Sequence, residues 1–229
     1  MTGGHSLPEP STLRALAAQL PVDLGEGQAQ TLCRYAALLV KWNAVYNLTS
    51  IERHDQVLSL HLLDSLAIVP HIVRETAGRA VRVLDVGSGG GLPGIPLAIA
   101  LASAHVTVTD KVQKKIAFLR QVKLELLLNN VEVVRSRVEN WDAPQGFDVV
   151  TARAFAPLAE LVRLTRHLCA PTGFWAAMKG AHPADEINEL PAEVEVFAAI
   201  RLRVPSLAAE RHLILIRPVI RPTTRQRGD

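Results

Sequence analysis

Cysteine is nearly missing from this chain. The two that occur in 229 residues, Cys33 and Cys169, lie far apart without metal-ligand spacing, which excludes a disulfide framework and a cysteine-based zinc site. The eight histidines stand singly, never paired at metal-binding spacing with cysteines or acids, so no metal is expected. No apolar run near the start looks like a signal peptide or a membrane helix. A reduced, cytoplasmic setting with no membrane partner is the expectation. Nor is there a large excess of one charge: the formal net charge is +3 and the pI about 9.1. Such mild basicity does not by itself demonstrate nucleic-acid binding. Disorder is excluded for most of the chain, because 48% of it is hydrophobic. The length suits one α/β domain with an appendage and shows no internal repeat.

What is there centres on Val83-Leu84-Asp85-Val86-Gly87-Ser88-Gly89-Gly90-Gly91-Leu92-Pro93-Gly94. The apolar, β-branched run from Val81 to Val86 reads as a strand buried on both faces. Glycines then let a ligand approach the main chain, and Pro93 to Ala102 reads as a helix with proline in its first turn. A strand, glycine turn and helix place a helix N-terminus over the carboxyl end of a parallel strand, where nucleotide cofactors bind. Gly89, Gly91 and Gly94 satisfy the G-x-G-x-x-G spacing of dinucleotide folds, a weak signal alone. Asp85 tips the balance. A carboxylate there would repel a pyrophosphate, yet it suits a cofactor with a cationic ammonium and sulfonium. Asp85, Gly87, Gly89 and Gly91 together resemble motif I of the class I S-adenosylmethionine methyltransferases.

Before this strand the texture is helical. Residues 1–12, with two glycines and two prolines, are expected to be disordered, and 13–78 to form a helical extension. Gln28 to Tyr46 places Leu32, Tyr35, Ala36, Leu39 and Trp42 on one face. A second stretch, from about Gln56 to Val73 and interrupted near Pro70, carries Leu58, Leu62, Leu66 and Val69. Asn47 and Thr49 either cap and turn the chain or line the mouth of the cofactor pocket. His61 and Asp64, three apart on one helical face, are either a satisfied pair or part of that mouth.

A Rossmann-like domain is expected over 79–217. His105 to Asp110 reads as the second strand, and its terminal acid lies roughly 20 residues beyond the glycines, about where a carboxylate meets a ribose in these folds. That acid fits NAD and S-adenosylmethionine equally. The helix from Gln113 to Leu128 is preceded by Lys111 and opens with Lys114 and Lys115, against the macrodipole, which either a phosphate partner or plain solvation accounts for. Strands follow at Val131–Val134, Phe147–Ala152 and Gly173–Gly180, with helices over Leu158–Leu168 and His182–Leu190 between and after the last two. Glu193–Val204 and Arg211–Ile216 complete seven strands as an antiparallel edge hairpin. Residues 218–229 read as a basic flexible tail with Arg221, Arg225 and Arg227.

After the fourth strand comes Arg153-Ala154-Phe155-Ala156-Pro157. Enzymes that methylate exocyclic amines resemble one another in an Asn or Asp followed by Pro-Pro-Tyr here, and those acting at pyrimidine carbon need a nucleophilic cysteine. Neither is present. The acceptor should be nucleophilic while neutral, such as a ring nitrogen with a free lone pair; guanine N7 fits. In-line positioning would then carry catalysis without a general base, and no catalytic side chain is assigned.

With these residues in hand, the chain resembles the bacterial glucose-inhibited division protein B family, the RsmG-type methyltransferases of 16S rRNA. The likeness runs through Lys41-Trp42-Asn43, Tyr46 to Ser50, His61 to Ser65, Asp85 to Pro96, Phe118-Leu119-Arg120, Ser136 to Glu139, Arg153-Ala154-Phe155, Lys179-Gly180 and Glu210 to Leu213. It implies an α/β class I methyltransferase fold with a mostly parallel seven-stranded sheet. It implies methylation of guanine N7 in the decoding-region loop of 16S rRNA, with S-adenosyl-L-methionine as donor and 16S rRNA or the small ribosomal subunit as partner; a monomer is the expectation. By position Gly87, Leu92, Asp110, Val138, Glu139 and Arg153 carry over as cofactor contacts, beside Asp85, Gly89 and Gly91. Arg137, Lys179, Arg211 and His61 fall on the RNA side. Leu60 stands where related chains often have a basic residue. The alternatives are an NAD(P)-dependent oxidoreductase, for which the only tyrosines, Tyr35 and Tyr46, lie in the extension, and a non-catalytic RNA-binding module that retains the cofactor.

Overall fold

Seven apolar stretches pair into one sheet in the computed structural model, which describes residues 9–48 and 61–219. The strands are β1 (Arg82–Val86), β2 (His105–Asp110), β3 (Val131–Arg135), β4 (Phe147–Arg153), β5 (Cys169–Lys179), β6 (Val194–Leu202) and β7 (Arg211–Pro218). Their order is β3-β2-β1-β4-β5-β7-β6. The first five strands run parallel, and β7 is antiparallel to both β5 and β6. This is the expected mixed sheet with its edge hairpin. Because β7 runs backwards, its first residue, Arg211, lies at the same sheet edge as the last residues of β4 and β5.

Alternation along the strands sends neighbouring side chains to opposite faces. Val149 joins one apolar cluster, with the N-terminal helices and the two helices after β1 and β2; Val150 joins the other, with Leu158, Leu161 and Trp175. The helices are α1 (Pro10–Ala17), α2 (Glu26–Tyr46), α3 (Asp64–Leu66), α4 (Val69–Glu75), α5 (Gly94–Ala100), α6 (Gln113–Glu125), α7 (Leu158–Thr165) and α8 (Ala184–Asn188). Along α2 the buried residues are Ala29, Leu32, Tyr35, Ala36, Leu39 and Asn43, four of which, Leu32, Tyr35, Ala36 and Leu39, belong to the stripe that the periodicity called for. Trp42 lies beside it, its ring centroid 5.5 Å from that of Phe118. The extension therefore shares a core with the sheet. Gln28 of α2 donates to the carbonyl of Ile99 at 2.8 Å and Arg34 to that of Glu125 at 2.9 Å, so α2 serves the open C-terminal ends of α5 and α6.

Three boundaries differ from expectation. Residues 10–12, expected to be disordered, form the first turn of α1, where Pro10 has no N–H to lose and Leu13 just behind it is fully buried. The fifth strand, expected from Gly173, opens already at Cys169: Phe147 pairs with it across a register shift that lets the strand continue through Pro171. Helix α7 stops at Thr165, whose hydroxyl bonds back to Leu161 and receives the indole N–H of Trp175 at 2.8 Å. The readings of residues 1–8, of Thr49 to Leu60 and of Arg221, Arg225 and Arg227 in the tail fall outside the described residues.

Candidate active site

The carboxyl ends of β1, β2 and β4 meet around the glycine loop. Ser88 ties the loop to β2: its N–H donates to Thr109 O at 2.9 Å and its hydroxyl receives Thr109 N–H at 3.1 Å. The N–H groups of Gly91 and Leu92 both return to Ser88 O. Gly94 has to be glycine, because a Cβ there would lie 2.6 Å from Val108 and 2.7 Å from the Asp85 carboxylate. That close approach lets Gly94 N–H donate to Asp85 Oδ2 at 2.9 Å. The other oxygen, Oδ1, is buried without a partner among the described residues. Burial pushes the Asp85 carboxyl up to about 6, against the pull of the Gly94 bond. From the helical side, the Tyr35 hydroxyl donates to Gly90 O at 2.5 Å.

Asp110 ends β2 with both oxygens held. Oδ2 accepts Gly89 N–H at 3.1 Å with Lys115 Nζ at 3.5 Å, and Oδ1 accepts Val112 N–H at 2.8 Å. It faces a cavity of about 530 Å³, inside the range of ligand pockets. Gly87 forms part of the lining, Asp110, Lys111, Val112 and Lys115 one side, and Ser136 to Glu139 another, with Val138 and Glu139 on the short 3-10 turn Val138–Asn140. Ala154 to Ala156 close the side toward β4. A larger hollow of about 620 Å³ beside α1 has only Arg14 and Asp23 as charged groups and no contact with the strand ends. The chemistry lies with the smaller one.

The fit to S-adenosyl-L-methionine rests on two acids of opposite character. Asp110 offers fixed acceptors where a ribose would lie, and Asp85, fully buried one strand away behind the glycine loop, keeps one oxygen without a partner among the described residues. Gly87, Asp110, Val138 and Glu139 are at the cavity surface; Asp85, Gly89, Gly91 and Leu92 shape the loop behind it. Glu139 also lies 3.7 Å from Arg137, whose side chain is well exposed. Burial pushes the thiol of Cys169 up to about 12 and that of Cys33 to about 11, so neither is an ionised nucleophile at neutral pH.

The remaining expected residues gather elsewhere along the same sheet edge. Asp64, only 1% exposed, accepts from Arg153 at 3.2 Å through Oδ2 and from Arg211 at 3.2 Å through Oδ1. Burial raises its carboxyl and the two guanidinium groups pull it back. His61 lies 3.4 Å from Arg153 and is 2% exposed, so in this arrangement it presents little to an RNA. Arg153, expected on the cofactor, points into this cluster and is absent from the cavity lining. Lys179 donates to Ala156 O at 3.1 Å and pairs with Glu186 at 2.6 Å. Of the four residues expected on the RNA side, Arg137 alone lines the cavity. Sequence reasoning missed Tyr35 and Lys115 as groups that touch the loop and its acid, and Phe155, whose ring covers Gly87.

The family described as GidB, rRNA small subunit methyltransferase G, matches residues 28–214. "Ribosomal RNA small subunit methyltransferase G" of Chromobacterium violaceum is 53% identical over 197 residues, covering 86% of this chain and 92% of its own. The protein of the same name from Burkholderia pseudomallei is 54% identical over 211 residues, covering 89% and 90%. Among solved structures, the 1,6-didemethyltoxoflavin-N1-methyltransferase of Burkholderia thailandensis superposes with a TM-score of 0.55 at 15% identity over 82% of this chain and 90% of that one. The ribosomal protein L11 methylase of Lactobacillus delbrueckii gives 0.53 at 16% identity over 74% and 81%. At such identities the structures bear on the fold alone, which is that of the class I methyltransferases. The oxidoreductase reading of the Gly89, Gly91, Gly94 spacing is thereby set aside: the chain belongs to the GidB family, the rRNA small subunit methyltransferases G.

Proposed function

We propose that this chain methylates N7 of one guanine in the decoding-region loop of 16S rRNA, using S-adenosyl-L-methionine. The observation that carries the reading is the family match across residues 28–214, which spans the glycine loop, both acids and the segment after β4. When bound, the cofactor supplies an electrophilic methyl group on a cationic sulfur. Asp110 would hold the ribose hydroxyls, Asp85 the amino-acid end, and the backbone of the glycine loop the part between. The segment after β4 carries no carboxamide or carboxylate with Pro-Pro-Tyr, and both thiols stay protonated. This supports an acceptor with its own lone pair. In the transfer, N7 forms the new bond to carbon as the sulfur–carbon bond breaks, the base becomes cationic and the sulfur neutral. No proton moves, so positioning replaces acid–base work.

The partner is the small-subunit rRNA, and the enzyme works as a cytoplasmic monomer on this reading. Among the described residues no helix is long and apolar enough to cross a membrane. The test is transfer of labelled methyl to small subunits lacking the modification, followed by reduction and aniline cleavage at N7-methylguanine. One cleavage site is the expected result. Label without cleavage would overturn guanine N7, and tight binding without label would favour the non-catalytic module.

A further inference from the structure

The one aromatic side chain among the described residues lining the cavity is Phe155, and its ring is 36% exposed. It is held there by its surroundings. Gly87 lies directly beneath, so close that a Cβ at that position would stand 2.7 Å from the ring. Ala154, just before it, takes a left-handed φ of 52° without being glycine, a conformation that persists only where the neighbourhood enforces it. The neighbourhood does so on both sides. Upstream, Arg153 is fixed on Asp64; downstream, Lys179 grips the carbonyl of Ala156, and Glu186, its ion-pair partner, receives Leu158 N–H at 2.7 Å. An apolar ring is thus kept half in water at the end of β4, where the glycine loop and the cavity meet.

We propose that Phe155 is the platform on which the target guanine stacks, with its face presented where the methyl group is delivered. The inference rests on the guanine-N7 reading and deepens it. Stacking on an aromatic face suits any base and needs no hydrogen bond, so it leaves N7 free. The ring also has a second use. As methyl transfers, the base becomes cationic, and the electron-rich face of Phe155 attracts a cation more strongly than a neutral base. Its contribution therefore grows toward the transition state and acts on the rate of transfer as well as on RNA binding. Phe155 is a positioning residue that touches the base and takes no proton or methyl group.

The experiment compares the parent chain with F155W and F155L in single-turnover methyl transfer to small subunits lacking the modification, at saturating S-adenosyl-L-methionine, with cofactor Kd measured separately by calorimetry. The expected result is a rate about tenfold to a hundredfold lower for F155L, a rate within about threefold for F155W, and an unchanged cofactor Kd. Equal rates for F155L and the parent would overturn the proposal. So would equal losses in F155L and F155W, or a loss that follows cofactor affinity. F155M repeats the test should F155L fail to fold. If the parent labels a base other than guanine N7, the guanine reading fails by itself, and the aromatic dependence is still measured on the base that is labelled.

Discussion

Tyr35 reaches out of the helical extension and donates its hydroxyl to the carbonyl of Gly90, inside the glycine loop. The phenol is fully buried and burial raises its pKa, so it stays a donor at any working pH. Tyr35→Phe leaves that carbonyl without its partner. The expected outcome is a loss of about 1–3 kcal/mol in urea denaturation, together with weaker cofactor binding as the loop loosens. Unchanged stability and affinity would show that the bond does not hold the loop.

Asp64 anchors Arg153 and Arg211 from opposite oxygens. Asp64→Asn keeps the shape and removes the charge that both guanidinium groups face. A cost of about 3–5 kcal/mol is expected in equilibrium unfolding, larger than for either arginine changed to Gln, since the acid serves both. Additive, small effects in a double-mutant cycle with Arg211 would contradict the shared anchor.

Asp85 is expected to make stability and cofactor binding depend on pH in opposite directions. Its folded pKa is raised from 3.8 to about 6, so the folded state holds the proton more tightly. Its contribution to stability is therefore full below about 4 and lost as pH rises through about 6. If Asp85 faces the cofactor's ammonium group, the ionised form is the one that attracts it, and cofactor affinity should rise through the same window. Asp85→Asn should flatten both profiles, raising stability near neutral pH while weakening the cofactor Kd. An Asn variant that binds cofactor as tightly as the parent would refute the assignment.

Asp110→Ala should weaken cofactor binding about tenfold to a hundredfold, the value of charge-assisted bonds to ribose hydroxyls. Calorimetry measures it directly. Because Asp110 also holds Gly89 and Val112 N–H, a thermal melt has to accompany the titration.

Much of this was legible because it is local. The strand ends at Asp85 and Asp110, the glycine turn and the stripe on α2 follow from spacing within a few residues, and the structure returns them nearly in place. His61 and Asp64 could be paired from helical geometry. Their arginines could not, since Arg153 and Arg211 stand 89 and 147 positions from Asp64, and the expected edge hairpin does not say that β7 inserts beside β5, which brings its first residue toward the end of β4. Tyr35 meets Gly90 across 55 positions for the same reason. The strand expected from Gly173 starts earlier, at Cys169, because the register shift beside Phe147 carries β5 through Pro171, which local spacing does not show.

The bonds from Gln28 to Ile99 and from Arg34 to Glu125 span 71 and 91 positions. During synthesis at about 5–20 residues per second, α2 emerges on the order of ten seconds before the last of its acceptors has been made. Early in that interval its apolar stripe has no strand to cover, and at its end only β1 and β2. The growing chain is therefore most exposed to capture by chaperones, or to aggregation, while the part that will clasp the glycine loop is already complete and the loop is not.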